Sequence, residues 1–360
     1  MVYGLWTLCG CAHVPRQAAL PSPQPLPAEV AAYYDYPHHA IEATTRLVKT
    51  HRTYRESIVQ FPLASAGFEP TEPTVEFEWF ESAAPGKRAA ILFNPILGGD
   101  YPLERGICRF LARHGFHVAL VHRKTLKISP TQPVAHIELL LRQGIIRIRQ
   151  VVDWMAANDR VDPHRMGSYG ISMGGIATVI TAAVEPRLRV HVVALAGGTI
   201  PDILATSTDG LLAKPRARYL ARNGIDLPTL DRQLRAALRT DPVRLASYVD
   251  GGKLLTKPRS RYLAHHKIDI ATMHRLLADG LRSDPIKLAP YVRNDRMLLI
   301  VALADRTIGR RNALRLRDAL GKPETIFVPL GHYTTYLYLP AIKFQSLRYF
   351  RKHLPAAPRS

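Results

Sequence analysis

Residues 166–175 read Met-Gly-Ser-Tyr-Gly-Ile-Ser-Met-Gly-Gly, and the interpretation of this run decides the rest. Met166–Tyr169 has the apolar character of a short strand. Gly170-Ile171-Ser172-Met173-Gly174 follows, and then a small-residue helix over 175–184. A G-x-S-x-G run between a strand and a helix is what a nucleophilic serine needs. The chain must turn so sharply that the hydroxyl stands clear of the backbone, and small residues on either side let helix and strand approach closely. Gly175 and Ala177 continue the close packing. The five-residue pattern alone is weak; its strand-before, helix-after context gives it weight.

Outward from this turn, strands alternate with helices. Short apolar runs at 89–93, 116–121, 190–195, 297–303 and 326–329 carry the mark of strands buried on both faces. Two earlier strands are expected at 59–62 and 75–80. Helical spacing covers 101–114 and 137–158, with a turn at 159–164. The pattern predicts an α/β fold, a mostly parallel central sheet flanked by helices.

Two further positions match the chemistry of Ser172. Asp305 follows the strand at 297–303, and His332, preceded by Gly331, follows the strand at 326–329. A carboxylate and an imidazole just past the carboxyl ends of parallel strands lie at the edge where such sheets place their sites. His332 would take the Ser172 proton, and Asp305 would orient the imidazole; Asp202, past the preceding strand, is the rival acid. Developing negative charge needs two backbone N–H groups. One is expected from Met173. The other comes from the loop 94–100, where Pro95 has no N–H, leaving Ile96 or Leu97, with Ile96 favoured. Asn94 is placed to brace that loop.

The NPILGG loop (94–99), YGISMGG (169–175), ALADRT (302–307) and LGHYTTY (330–336) together resemble the α/β-hydrolase superfamily from residue 89 to about 354. The similarity is strongest to its dienelactone-hydrolase-like and acetylxylan-esterase-like branch, which includes bacterial lipoprotein hydrolases. The resemblance implies a serine hydrolase that cleaves a carboxylic ester, a small-molecule or acyl ester substrate, through an acyl-enzyme. Serine in place of the dienelactone hydrolases' cysteine points to esterase chemistry. An acyltransferase uses the same residues, and a non-catalytic envelope lipoprotein could keep the scaffold to bind a partner.

The insert between strands 190–195 and 297–303 contains a tandem repeat. Residues 211–250 align with 254–293 at an offset of 43, with more than half the positions identical. Each copy carries a Lys-Pro helix start and an Asp-Pro pair (Asp241-Pro242, Asp284-Pro285) that reads as N-cap and N1 of a helix. Two repeats are too few for a solenoid. Residues 201–295 are therefore expected to form a helical cap over the active edge, between two parts of the core at 30–200 and 296–360.

At the N-terminus, the apolar run 2–8 leads to Leu8-Cys9-Gly10-Cys11, similar to a bacterial lipobox with Cys11 as the lipidated residue. Residues 12–29 are rich in Pro and Ala, as an extended tether would be. Residues 1–29 thus read as signal, lipobox and tether. They place the protein in the bacterial cell envelope, lipid-anchored in the outer membrane and facing the periplasm; the alternative is a cytoplasmic protein. No basic residue precedes the apolar run, which is short for an export signal.

With 49 Lys and Arg against 29 Asp and Glu the net charge is +20. The basic residues are spread along the chain, a pattern that argues against nucleic acid and is compatible with an anionic membrane surface. Three cysteines cannot build a disulfide scaffold or a multi-cysteine zinc site. With no Cys-x-x-Cys, no G-x-G-x-x-G and no helical His-x-x-x-His, no cofactor and no metal is expected.

Overall fold

The computed structural model describes residues 11–16, 23–65, 67–98, 100–123, 134–209, 212 and 280–355. Ten strands form one sheet: β1 (Ala12–Val14), β2 (Thr44–Thr50), β3 (Tyr54–Pro62), β4 (Thr74–Ser82), β5 (Arg88–Asn94), β6 (His117–Val121), β7 (Val161–Ile171), β8 (Leu188–Ala194), β9 (Met297–Ala302) and β10 (Glu324–Val328). Their spatial order is β1-β10-β9-β8-β7-β5-β6-β4-β3-β2. The six strands from β10 to β6 pair in parallel. β4, β3 and β2 continue antiparallel at one edge, and β1 closes the other edge antiparallel to β10.

The parallel strands read as near-continuous apolar runs because helices cover both faces. Along β5, Ala90 and Leu92 enter a cluster with α3 (Val134–Ala157), α4 (Met173–Val184) and α6 (Arg310–Ala319). Ile91 and Phe93 point the other way, into a cluster with α2 (Pro102–Arg113) and α7 (Leu339–His353). The short helices α1 (Ala28–Tyr33) and α5 (Ile200–Thr206) complete the labelled set. α4 lies against both β7 and β8 and is buried over almost its whole length, as its run of Gly, Ala, Val and Ile requires.

Registers set the position of the site. Asn94 pairs with Gly170, and Ile171 with Ala194, so β5, β7 and β8 end together. The segments after β9 and β10 begin at the same carboxyl-end edge, with Ile300 opposite Ala194 and Ala302 opposite Val328.

Three local expectations change. The tether expected over 12–29 is folded at both ends. Ala12–Val14 pairs with β10 through Ala12–Phe327 and Val14–Thr325, satisfying a sheet edge that would otherwise be open, and α1 starts at Ala28. His13 also meets Glu324 at 2.9 Å. The turn expected over 159–164 is largely strand: β7 starts at Val161, which pairs with Arg88 before a register irregularity. β2, exposed at every position, is a strand that no apolar pattern announces.

The expected cap over 201–295 lies for the most part outside the described residues. Its two ends are described. Asp209 accepts a hydrogen bond from the Thr307 hydroxyl at 3.2 Å. Asp284 caps a short helical turn at 285–288 through the Ile286 N–H, and it also accepts from the Ile200 N–H.

Candidate active site

Ser172 sits between β7 and α4 with φ 56° and ψ −119°, a left-handed conformation that costs a non-glycine residue on the order of 1–3 kcal/mol. Its surroundings hold it there: the Ser172 N–H donates to Ala194 O at 2.8 Å, and its carbonyl accepts from the Ile176 N–H at 3.0 Å. The glycines explain how the turn fits. A Cβ on Gly170 would lie 2.1 Å from Gly174 O, and one on Gly174 only 2.0 Å from Asn94 O. Both positions exclude any side chain, so the G-x-S-x-G spacing is a packing requirement as well as a turn.

The three expected side chains converge. His332 Nε2 lies 3.0 Å from Ser172 Oγ, and His332 Nδ1 lies 2.7 Å from Asp305 Oδ2. An ionised carboxylate only accepts, so Nδ1 carries the ring proton and Nε2 is left to accept the Ser172 O–H. The other Asp305 oxygen accepts the N–H groups of Thr307 (2.8 Å) and Ile308 (2.9 Å). The His332 and Asp305 side chains retain only 9% and 2% of their exposure, whereas Ser172 is partly open to solvent. The His332 loop is tied by Thr334, whose hydroxyl accepts from the Gly331 N–H, and by Thr335, whose hydroxyl donates to Gly331 O. Asp202, the rival acid, lies in α5 and pairs with Arg315.

The loop after β5 is held from three sides. Asn94 Nδ2 donates to Thr178 Oγ1 at 2.9 Å, and that hydroxyl donates to Gly174 O at 2.8 Å, joining the loop to α4. Arg123, just beyond β6, donates through Nη2 to Pro95 O and Ile96 O, each at 2.8 Å. Burial pushes the pKa of this guanidinium down. From α2, the fully buried Glu104 accepts the Ile96 N–H at 3.1 Å through Oε1, while its Oε2 has no partner among the described residues. The Ile96 amide, favoured from the sequence as the second oxyanion donor, is thus engaged by a carboxylate. Among the described residues nothing accepts the N–H of Met173 or of Leu97. Sequence reasoning missed Thr178, Glu104 and Arg123. Their partners are backbone groups or side chains far away in the chain, so no motif signals them.

A cavity of about 40 Å³ lies on the α3–α4 side of this loop, lined by Asn94, Arg123, Ile145, Arg147, Met173 and Ile176 among others. Among the described residues no group of three or more His, Cys, Asp or Glu side chains is placed to hold a metal ion.

Against solved structures, the chain is similar to acetyl xylan esterase 1 from Thermoanaerobacterium sp. JW/SL YS485, with a TM-score of 0.52 at 15% identity over 90% of this chain and 95% of that one. It is similar to the acetyl xylan esterase from Paenibacillus sp. R4 (TM-score 0.53, 13% identity, 91% and 100% covered). It also resembles the acylaminoacyl peptidase of Pyrococcus horikoshii (TM-score 0.52, 13% identity, 86% of this chain but 43% of that one). No protein-family model matches the sequence, and no curated protein does. At these identities the likeness concerns the fold: the protein has the α/β-hydrolase fold, a mixed, mostly parallel sheet of ten strands flanked by helices.

Proposed function

We propose that this protein is a serine hydrolase that cleaves a carboxylic ester through an acyl-enzyme. The observation that carries the reading is the hydrogen-bonded chain Ser172–His332–Asp305, at 3.0 and 2.7 Å, at the carboxyl edge of the sheet. Ser172 Oγ attacks the ester carbonyl while His332 Nε2 takes its proton. The imidazolium, steadied by Asp305, returns that proton to the departing alcohol. Water, deprotonated by His332, then attacks the acyl-enzyme, and the carboxylic acid leaves with Ser172 regenerated. The charge on the tetrahedral oxygen falls to the Met173 N–H together with an amide of the 96–97 loop. The Leu97 N–H has no acceptor among the described residues, whereas Ile96 can serve only by giving up Glu104.

Esters of acetic acid are the first substrates to try, because two of the structurally similar proteins are named acetyl xylan esterases. The test is turnover of p-nitrophenyl acetate by wild type and by Ser172→Ala. Loss of on the order of 10⁴-fold or more in kcat, with an unchanged melting temperature, is expected; retained turnover in the variant removes the assignment.

Lipidation of Cys11, and hence an envelope location, is part of the same proposal, and it rests on the run Leu8–Cys11 and the Pro-rich segment behind it. Labelling with a palmitate analogue tests it: label on wild type and none on Cys11→Ser is the expected result, and an unlabelled wild type contradicts it.

A further inference from the structure

Among the described residues the exposed large apolar side chains are Leu47, Val48, Tyr333, Tyr336, Leu337 and Phe344, and four of these six fall between positions 333 and 344. The four begin one residue after His332. Tyr333 caps the 3₁₀ turn at Thr334–Tyr338, and the other three occupy that turn and the first half of α7, which run on without a break.

The exposed positions 333, 336, 337, 340, 344, 348, 351 and 352 recur every three or four residues and so form one stripe along this helical segment. The opposite side, Ile342, Ser346, Leu347, Tyr349 and Phe350, is buried in the α2–α7 core. From Leu337 to Arg351 the stripe is roughly 20 Å long at about 1.5 Å per residue. Its chemistry changes midway. The first half presents Tyr336, Leu337, Pro340 and Phe344; the second presents Arg348, Arg351 and Lys352, which form no ion pair among the described residues. Leu337 keeps 73% of its exposure, Tyr336 63% and Phe344 54%. Phe110 on α2 widens the apolar half: its ring meets Phe344 edge to face at 5.2 Å, and Lys343 Nζ lies 5.2 Å from its centroid.

Single exposed apolar residues need no explanation, but a continuous aromatic and aliphatic line that turns basic does. That combination suits the boundary of an anionic bilayer, where apolar side chains sink beneath the headgroups and cations meet lipid phosphates. No described helix is long and apolar enough to cross a membrane, so what α7 offers a bilayer is a face. A second copy of the chain fits this face poorly, since it brings the same +20 charge and another basic end. The first described residue, Cys11, packs against this same α2–α7 core.

We infer that the stripe Tyr336–Leu337–Pro340–Phe344–Arg348–Arg351–Lys352 docks the protein on an anionic lipid surface, with the His332 loop at the lipid boundary. The inference goes beyond the hydrolase reading and does not depend on it. The test is flotation of the full chain with vesicles of phosphatidylglycerol and phosphatidylcholine in equal parts, and with phosphatidylcholine alone. A Cys11→Ser background removes any lipid chain at that residue from the comparison. The protein should float with the anionic vesicles and bind neutral ones about tenfold more weakly or worse. Leu337→Ser/Phe344→Ser and Arg348→Glu/Arg351→Glu should each lower partition by at least about tenfold, with melting temperature and turnover of a soluble ester as in the parent. A parent chain that does not float, or variants that float as well as it does, overturns the inference. So does a dimer that Leu337→Ser/Phe344→Ser dissociates, which would assign the stripe to a second copy. Soluble-ester turnover reports separately on the hydrolase reading, so a protein that floats without hydrolysing leaves this inference standing and removes the other.

Discussion

Gly174→Ala concentrates the whole argument in one methyl group. Gly174 packs against the end of β5, where an added Cβ would lie 2.0 Å from Asn94 O and 2.6 Å from Pro95 O. Both contacts are to backbone, so no side chain can swing away. Restoring an ordinary separation of at least 3.0 Å requires a displacement of about 1 Å. Overpacking of this kind costs about 1–3 kcal/mol, a melting-temperature loss of a few degrees in a domain of this size. The larger effect is kinetic. The segment that must move carries the Ile96 and Leu97 amides, and a displacement of about 1 Å in a reacting constellation costs on the order of 100-fold. Turnover of p-nitrophenyl acetate and a thermal melt should therefore show a kcat loss far out of proportion to the stability loss. Two controls grade the effect. In Gly175→Ala the new Cβ meets Ala194 O and Ala196 Cβ at 2.9 Å, a milder clash on the side away from the loop. In Gly144→Ala, inside α3, nothing lies within 4 Å, and a helix interior favours alanine by about 0.5–1 kcal/mol. Wild-type turnover in Gly174→Ala, or equal losses in all three variants, would refute the packing argument.

Other substitutions separate the remaining parts. Asp305→Asn keeps the shape but, with its side-chain N–H₂ facing the ring, favours the wrong imidazole tautomer; kcat should fall by on the order of 10⁴-fold while Asp202→Asn falls little, and the reverse order would make Asp202 the acid. Acid stability should depend on two buried histidines. Burial pushes both His117 and His191 down to about 4 from 6.5. His117 accepts the Ser82 N–H and donates to Arg160 O, and His191 bonds Ser168. Their folded-state pKa values are depressed, so the unfolded chain binds the extra protons. Their contribution to stability is therefore constant above the unfolded value near 6.5 and falls between about pH 6.5 and 4, by about 3 kcal/mol for each histidine. Denaturant unfolding of His117→Gln and His191→Gln across that window should show a shallower slope than wild type; an unchanged slope contradicts the assignment.

What could be seen in the sequence follows from what is local. The elbow was legible because a strand, two constrained glycines and a helix are adjacent in the chain. Asp305 and His332 were legible because each directly follows a run such as Met297–Ala302 that is apolar at every position. The strand β1 was not, since Ala12–Val14 has no pattern of its own and forms only against the open edge of β10. Nor was β2, whose side chains all face solvent. The polar frame of the 94–98 loop depends on long-range bonds, Asn94 to Thr178 and Arg123 to Pro95 and Ile96, which spacing along the chain cannot reveal. The Ile96 amide was favoured because the sequence does not show that the turn into α2 brings the Glu104 carboxylate, eight residues on, back onto it.

A fluorophosphonate probe bears most directly on whether Ser172 is an activated nucleophile. Mapped by mass spectrometry of the labelled peptide, the phosphonyl group should be found on Ser172, absent from Ser172→Ala and strongly slowed in His332→Ala. An unlabelled protein, or a label on another residue that survives Ser172→Ala, would contradict the account.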